Sequence, residues 1–121
     1  MGQYYVIVNL DKHEYLKPHD FGEGAKLMEF GASGCGTMGG LAILLSDGNG
    51  RGGGDCQSDS PLIGSWVGDH IVIAGDYADV GSHVPEDEIE MYPTLNLYHI
   101  VHEAAGWKNI SEEVAEAINE E

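Results

Sequence analysis

The greatest density of potential ligands in this sequence lies in a glycine-rich stretch between residues 47 and 55. Ten of the eighteen glycines fall within residues 31–54, and they allow the backbone to approach a bound group closely. Oxygen ligands stand at relative positions 1, 3 and 9 of a partial calcium-binding loop, supplied by Asp47, Asn49 and Asp55. Position 12 is Ser58 rather than glutamate, so the pattern excludes an EF-hand and leaves open a looser site for Ca²⁺ or Mg²⁺.

The only arginine of the chain, Arg51, lies among these glycines. Its planar guanidinium would either pair with Asp47 or Asp55 and hold the loop, or bind a carboxylate or phosphate of a ligand. Asp76 follows a predicted strand, where a carboxylate serves either a turn or a metal or acid–base site. A cleft shared by Arg51, Asp55 and Asp76 would make the protein a metal- or phosphate-binding domain or a small hydrolase.

An earlier glycine cluster has the spacing of a phosphate-binding loop. Thr37 and Met38 stand where that motif needs lysine followed by serine or threonine, so the lysine that contacts phosphate is missing. A weaker anion nest at the start of a predicted helix remains, formed by Gly34, Gly36 and Thr37. The alternative is structural, because glycines at a bend let a helix pack closely on its neighbour.

Histidine and cysteine spacing does not indicate a metal or redox site. His99, His102 and Glu103 fall on the polar face of a predicted helix, which favours solvated side chains over a zinc site. Cys35 and Cys56 lack a C-x-x-C partner, which favours reduced thiols. No cofactor is firmly implied.

Acidic residues dominate the charge. Twenty-one acidic against five basic residues give a formal net charge of −16, and the five bases are scattered, so nucleic acid is not expected as a direct ligand. Residues 86–121 hold ten acids and one base. Three interpretations stay open: a solvated face, adaptation to a salt-rich cytoplasm, and a surface that binds a basic protein, as a DNA mimic would. The proposed interaction face lies on the last predicted helix, at Glu112, Glu113 and Glu116.

The pattern of apolar residues predicts a single α+β domain over residues 1–121. Strands are predicted at residues 4–10, 13–17, 65–67 and 70–74, the last two as a hairpin around Gly68-Asp69. Helices are predicted at residues 25–30, 37–46 and 94–106, and from Ser111 as an N-cap, while residues 81–87 are predicted as loop. The expected architecture is an antiparallel sheet of about four strands with helices packed on one face.

The sequence shows neither a stretch of about 20 apolar residues nor the basic and apolar regions of a signal peptide. We therefore expect a cytoplasmic protein that makes no contact with a membrane.

Five segments within residues 3–77 form a wider pattern: QYY, VNLDK, KLME, GNGRGGGD and WVGDHIVIAGDY. Together they resemble a group of small uncharacterised proteins found in bacteria and their phages. The resemblance implies a phage or mobile-element context and carries no activity. The preferred hypothesis is a small acidic interaction protein that acts on a basic protein surface, and the alternative is the metal- or phosphate-binding domain or small hydrolase around Arg51 and Asp55.

Overall fold

The computed structural model describes residues 3–31, 36–47 and 60–119. The strands are β1 (Tyr5–Asn9), β2 (Glu14–Leu16), β3 (Ile71–Gly75) and β4 (Lys108–Asn109). The helices are α1 (Leu27–Phe30), α2 (Thr37–Leu44), α3 (Glu86–Met91), α4 (Leu97–Glu103) and α5 (Ser111–Asn119), with a 3₁₀ helix at Pro18–Phe21. None of the helices in these ranges is both long and apolar enough to cross a membrane.

The four strands form one sheet in the order β3-β1-β2-β4. β1 is antiparallel to both β2 and β3, whereas β2 and β4 run parallel, with Glu14 opposite Lys108 and Tyr15 opposite Asn109. The α+β class with four strands is confirmed. The prediction of a purely antiparallel sheet is wrong, because β4, which follows α4, lies at the β2 edge and runs in the same direction as β2.

Both faces of the central strand are buried. Val6 and Val8 contribute to a core with α4, and Ile7 contributes to a second core with α2 and α5. The prediction that helices pack on one face is therefore wrong. The physical reason lies in β1 itself: apolar side chains project from both faces of the strand, so a single helical layer leaves half of them in water.

The predicted hairpin at residues 65–74 is only half right. Ile71–Gly75 is a strand, but its partner is β1, and residues 65–67 form turns. Trp66 is fully buried in the second core, and its indole Nε1–H donates to Glu14 Oε1 at 2.8 Å. Two neighbouring residues of high β propensity, Trp66 and Val67, have the same local pattern in a turn as in a short strand, which accounts for the error.

The predicted loop at residues 81–87 ends earlier than expected, because α3 begins at Glu86. Glu88 of α3 is buried, and its carboxylate accepts the indole N–H of Trp107, with Nε1–O distances of 2.9 and 3.1 Å. This contact joins α3 to the segment before β4. The acidic sequence of α3 carries no apolar periodicity that predicts it.

The expected N-cap at Ser111 has a different role. The Ser111 hydroxyl accepts the backbone N–H of Lys17 at 2.7 Å, while the Ser111 N–H donates to Asn109 Oδ1 at 2.9 Å. These bonds hold the start of α5 against the end of β2. The predicted start of a helix at residue 94 is also displaced, since Asn96 caps α4 by accepting the His99 N–H at 3.1 Å.

Candidate functional site

An acidic groove of about 330 Å³ opens beside α5. Its walls come from β2, β4, α5 and the chain that precedes Trp66. The lining residues are Glu14, Ser60, Pro61, Leu62, Lys108, Ile110, Glu113, Glu116 and Ala117. We call this cavity the α5 groove.

Two features define the chemistry of the α5 groove. Three carboxylates line it, from Glu14, Glu113 and Glu116, against one ammonium group, that of Lys108. Lys108 Nζ lies 3.5 Å from Glu113 Oε2. The remaining lining is largely apolar, so the cavity suits a ligand with an aliphatic stem and a cationic head, which is the chemistry of a lysine or arginine side chain.

Each carboxylate is positioned by a separate part of the fold. Glu113 and Glu116 share one face of α5 because residues three apart on a helix are neighbours. Val114 is buried and packs the opposite side of α5 into the second core. Glu14 reaches the groove from β2, where the Trp66 indole N–H fixes its carboxylate and the β2–β4 register sets Lys108 beside it.

The residues of the predicted interaction face divide between two positions. Glu113 and Glu116 line the groove, whereas Glu112 is exposed on α5 outside that lining. Binding of a basic protein by these residues stays a prediction. Charge alone pointed to α5, and nothing local in the sequence links α5 with Glu14, because the two lie at opposite ends of the chain.

At the predicted anion nest, the anion is a carboxylate of the chain itself. Glu23 Oε1 accepts both the backbone N–H of Thr37 at 2.8 Å and its hydroxyl at 2.5 Å. A Cβ at Gly36 would overlap the Glu23 carboxylate in its present position, so a larger residue there would require this side chain to shift. Gly34 lies outside the described residues. The start of α2 is thus capped from a distant segment, and binding of an external anion there stays a prediction.

Most of the predicted glycine-loop site falls outside the described residues, namely Asn49, Arg51 and Asp55. Asp47 is exposed at the end of the described segment. Asp76 closes the β1–β3 pair: its Oδ1 accepts the Tyr4 N–H at 3.0 Å, and its own N–H donates to Tyr4 O at 2.8 Å. The metal- or phosphate-binding site therefore stays a prediction.

Within residues 3–31, 36–47 and 60–119, no three His, Cys, Asp or Glu side chains stand close enough together to hold a metal ion. His99 and His102 are exposed on α4, and His102 Nδ1 lies 2.7 Å from the Tyr98 carbonyl oxygen.

A polar network that the sequence analysis did not predict joins the end of β1 to the start of β3. Asn9 is fully buried: its amide donates to Asp69 Oδ2 at 2.8 Å, and its oxygen accepts the N–H groups of Asp11 and Lys12. The hydrogen bond from Asn9, followed by that from Lys12, lowers the pKa of Asp69. The backbone N–H of His70 lowers the pKa of Asp11. Each of these groups has a hydrogen-bond partner within the network, so the network stabilises the turn that follows β1.

Comparison with models of protein families, with curated proteins and with solved structures found no match to this chain.

Proposed function

We propose that this protein is a non-enzymatic binding protein whose α5 groove takes a lysine or arginine side chain from a basic segment of a partner protein. The observation that carries the proposal is the composition of the groove: three carboxylates and one lysine around an apolar lining. A basic side chain would lay its methylene groups on Pro61 and Leu62, because Ile110 and Ala117 are buried beneath the groove, and would bring its charge to the glutamates.

The overall charge supports the same class of partner. The formal net charge is −16, with ten acids and one base in residues 86–121, the region that contains α5. A field of this sign accelerates encounter with basic surfaces and repels acidic ones. Long-range attraction would bring the partner to α5, and the groove would select the side chain that enters.

Lys108 acts as an internal competitor in this proposal. Its ammonium lies 3.5 Å from Glu113 Oε2, and both side chains are largely solvent-exposed. An entering guanidinium would take over Glu113 as a bidentate partner, which an ammonium cannot match. Removing the lysine in Lys108→Ala should therefore strengthen binding of a basic peptide.

The test measures fluorescence anisotropy of a labelled peptide of alternating arginine and leucine, with a matched peptide that carries citrulline in place of arginine. Each exposed ion pair is worth about 0.2–1 kcal/mol, so Glu113→Gln with Glu116→Gln should weaken binding by about 0.4–2 kcal/mol, or about 2- to 30-fold. Added salt should weaken binding further, because exposed charges are screened.

Two control variants separate the groove from the general field. Glu112→Gln on α5 and Glu90→Gln on α3 each remove one exposed carboxylate that lies outside the groove lining. If each control weakens binding as much as Glu113→Gln, the field alone attracts the peptide and the groove has no role. Equal affinity for the arginine and citrulline peptides would overturn the proposed function.

A further inference from the structure

Within the described part of the chain, one edge of the sheet has backbone groups that no neighbouring strand pairs. β3 lies at the end of the order β3-β1-β2-β4, and its bonds to β1 are made by the even-numbered residues, as at His70 O and Asp76 N. Alternation along a strand then directs the N–H and C=O groups of Ile71, Ile73 and Gly75 away from β1. Among residues 3–31, 36–47 and 60–119, the one backbone partner of these groups is the Ala78 N–H, which donates to Gly75 O at 3.1 Å.

The two edges of the sheet differ in how they resist pairing. β4 has two residues and carries Lys108, whereas β3 has five residues, IVIAG, and no charge. Short length and lysine are common means of blocking edge-to-edge association, and β3 has neither. Ile73, at its centre, is 40% exposed.

Exposed apolar side chains lie on this edge strand and beside its C-terminal end. Ile73 is exposed at the centre of β3, Tyr77 is 59% exposed two residues after the strand, and Tyr4, 43% exposed, bonds through its backbone to Asp76. Exposed apolar side chains along an open strand are typical of a surface that another chain covers.

We propose that β3 pairs with β3 of a second copy of this chain, antiparallel and centred on Ile73. This register is symmetric, so a two-fold axis relates the copies and the outward groups of Ile71 meet those of Gly75 in the second copy. The same register sets His70 opposite Asp76 of the second copy. The His70 side chain is 81% exposed and its Nδ1 lies 3.1 Å from Asp11 Oδ2 of its own chain, so Nε2 is the ring nitrogen that would meet Asp76. An imidazole facing a carboxylate at both ends favours this register over those shifted along the strand.

Charge repulsion opposes the pairing. Each copy carries a formal charge of −16, and salt screens that repulsion while leaving apolar contacts and backbone hydrogen bonds in place. Self-association should therefore strengthen as salt rises, which is opposite to the salt dependence proposed for the α5 groove. The α5 groove involves β2 and β4, at the other end of the sheet, so either proposal can fail alone.

Sedimentation velocity of the full chain over a range of concentrations, in 0.05 and 0.5 M NaCl, tests the pairing. The expected result is a monomer–dimer equilibrium that shifts toward dimer at the higher salt. Ile73→Lys sets two lysines directly opposite each other across the axis and should weaken the dimer at least tenfold. Met28→Lys is the matched control, since Met28 is 79% exposed on α1 and lies on the β2 side of β1; its dimer affinity should stay within about twofold of wild type.

Hydrogen exchange of the wild-type chain gives a second readout that does not depend on any variant. The Ile71 and Ile73 amides should gain protection as protein concentration rises, because those N–H groups would bond to the second copy. A wild-type chain that stays monomeric at its highest soluble concentration in 0.5 M NaCl would overturn the proposal. So would an Ile73→Lys variant that dimerises like wild type, or exchange at these amides that is independent of concentration.

Discussion

Gly40 of α2 lies against Val114 of α5, and its substitution by alanine tests whether the first glycine cluster serves packing. A Cβ at Gly40 would lie 2.7 Å from Val114 Cγ1 and 3.3 Å from Phe21 Cζ. Favourable carbon–carbon contacts lie near 3.5–4.0 Å, so the methyl group overlaps Val114 by about 1 Å. We expect this overlap to cost about 1–3 kcal/mol, which opposes a gain of about 1 kcal/mol from the higher helix propensity of alanine.

The net change for Gly40→Ala alone is then a loss of about 0–2 kcal/mol in the free energy of unfolding. A sharper value comes from a double-mutant cycle with Val114→Ala, which removes the methyl groups that the new Cβ meets. With that space open, Gly40→Ala should stabilise the protein by up to about 1 kcal/mol, since the close contact with Phe21 at 3.3 Å still opposes part of the propensity gain. The coupling between the two sites is therefore about 1–3 kcal/mol.

Urea unfolding of the wild type, the two single variants and the double variant, followed by circular dichroism, measures these free energies. If the two substitutions are additive within about 0.5 kcal/mol, Gly40 does not act through Val114. Stabilisation of the otherwise wild-type chain by about 1 kcal/mol in Gly40→Ala would refute the packing argument as well, because it would show that the methyl group fits.

Two further predictions concern polar contacts. Glu23→Ala should lower the free energy of unfolding by about 1–2 kcal/mol because Thr37 loses its hydrogen-bond acceptor. Glu23→Gln should lower it less, because an amide oxygen still accepts. If thermal denaturation shows the same loss of stability for both variants, this account is contradicted. Asp69 has a pKa below its ordinary value because Asn9 and Lys12 donate to it, so its carboxylate contributes stability above pH about 4 that is lost as pH falls through the folded pKa. Unfolding titrations should show the gap between wild type and Asp69→Asn to be widest near neutral pH and to close in acid, and a gap constant with pH would exclude this role.

Much of the sheet can be predicted from the local sequence pattern, and the strands that are predicted wrongly show where that pattern fails. β1 is predicted because a continuous apolar run suits a strand that is buried on both faces. β4 is missed because two residues, Lys108 and Asn109, carry no periodicity, and their pairing with β2 depends on where α4 ends. Trp66 is assigned to a strand because Trp and Val in sequence have high β propensity, and that local pattern does not reveal that Trp66 is buried in a turn.

The candidate site likewise contains residues that the sequence predicts and residues that it misses. Acidic charge in the last helix predicts an interaction face, and two of its three glutamates line the α5 groove. Glu14 and Lys108 are missed because they reach the groove through the sheet register and the hydrogen bond from Trp66. Contacts of this kind join residues far apart in the chain, and no local spacing encodes them.

The sequence by itself determined the acidity of the chain, the double-sided burial of β1 and the amphipathic α5, because each depends on composition or on the periodicity of neighbouring residues. Only the tertiary structure decided that the sheet is mixed, that Glu23 caps α2 from a distance, and that Glu14 joins Glu113 and Glu116 around one groove. The physical reason is that hydrogen bonds and ion pairs form only over a few ångströms in space, and folding alone sets which distant residues come that close.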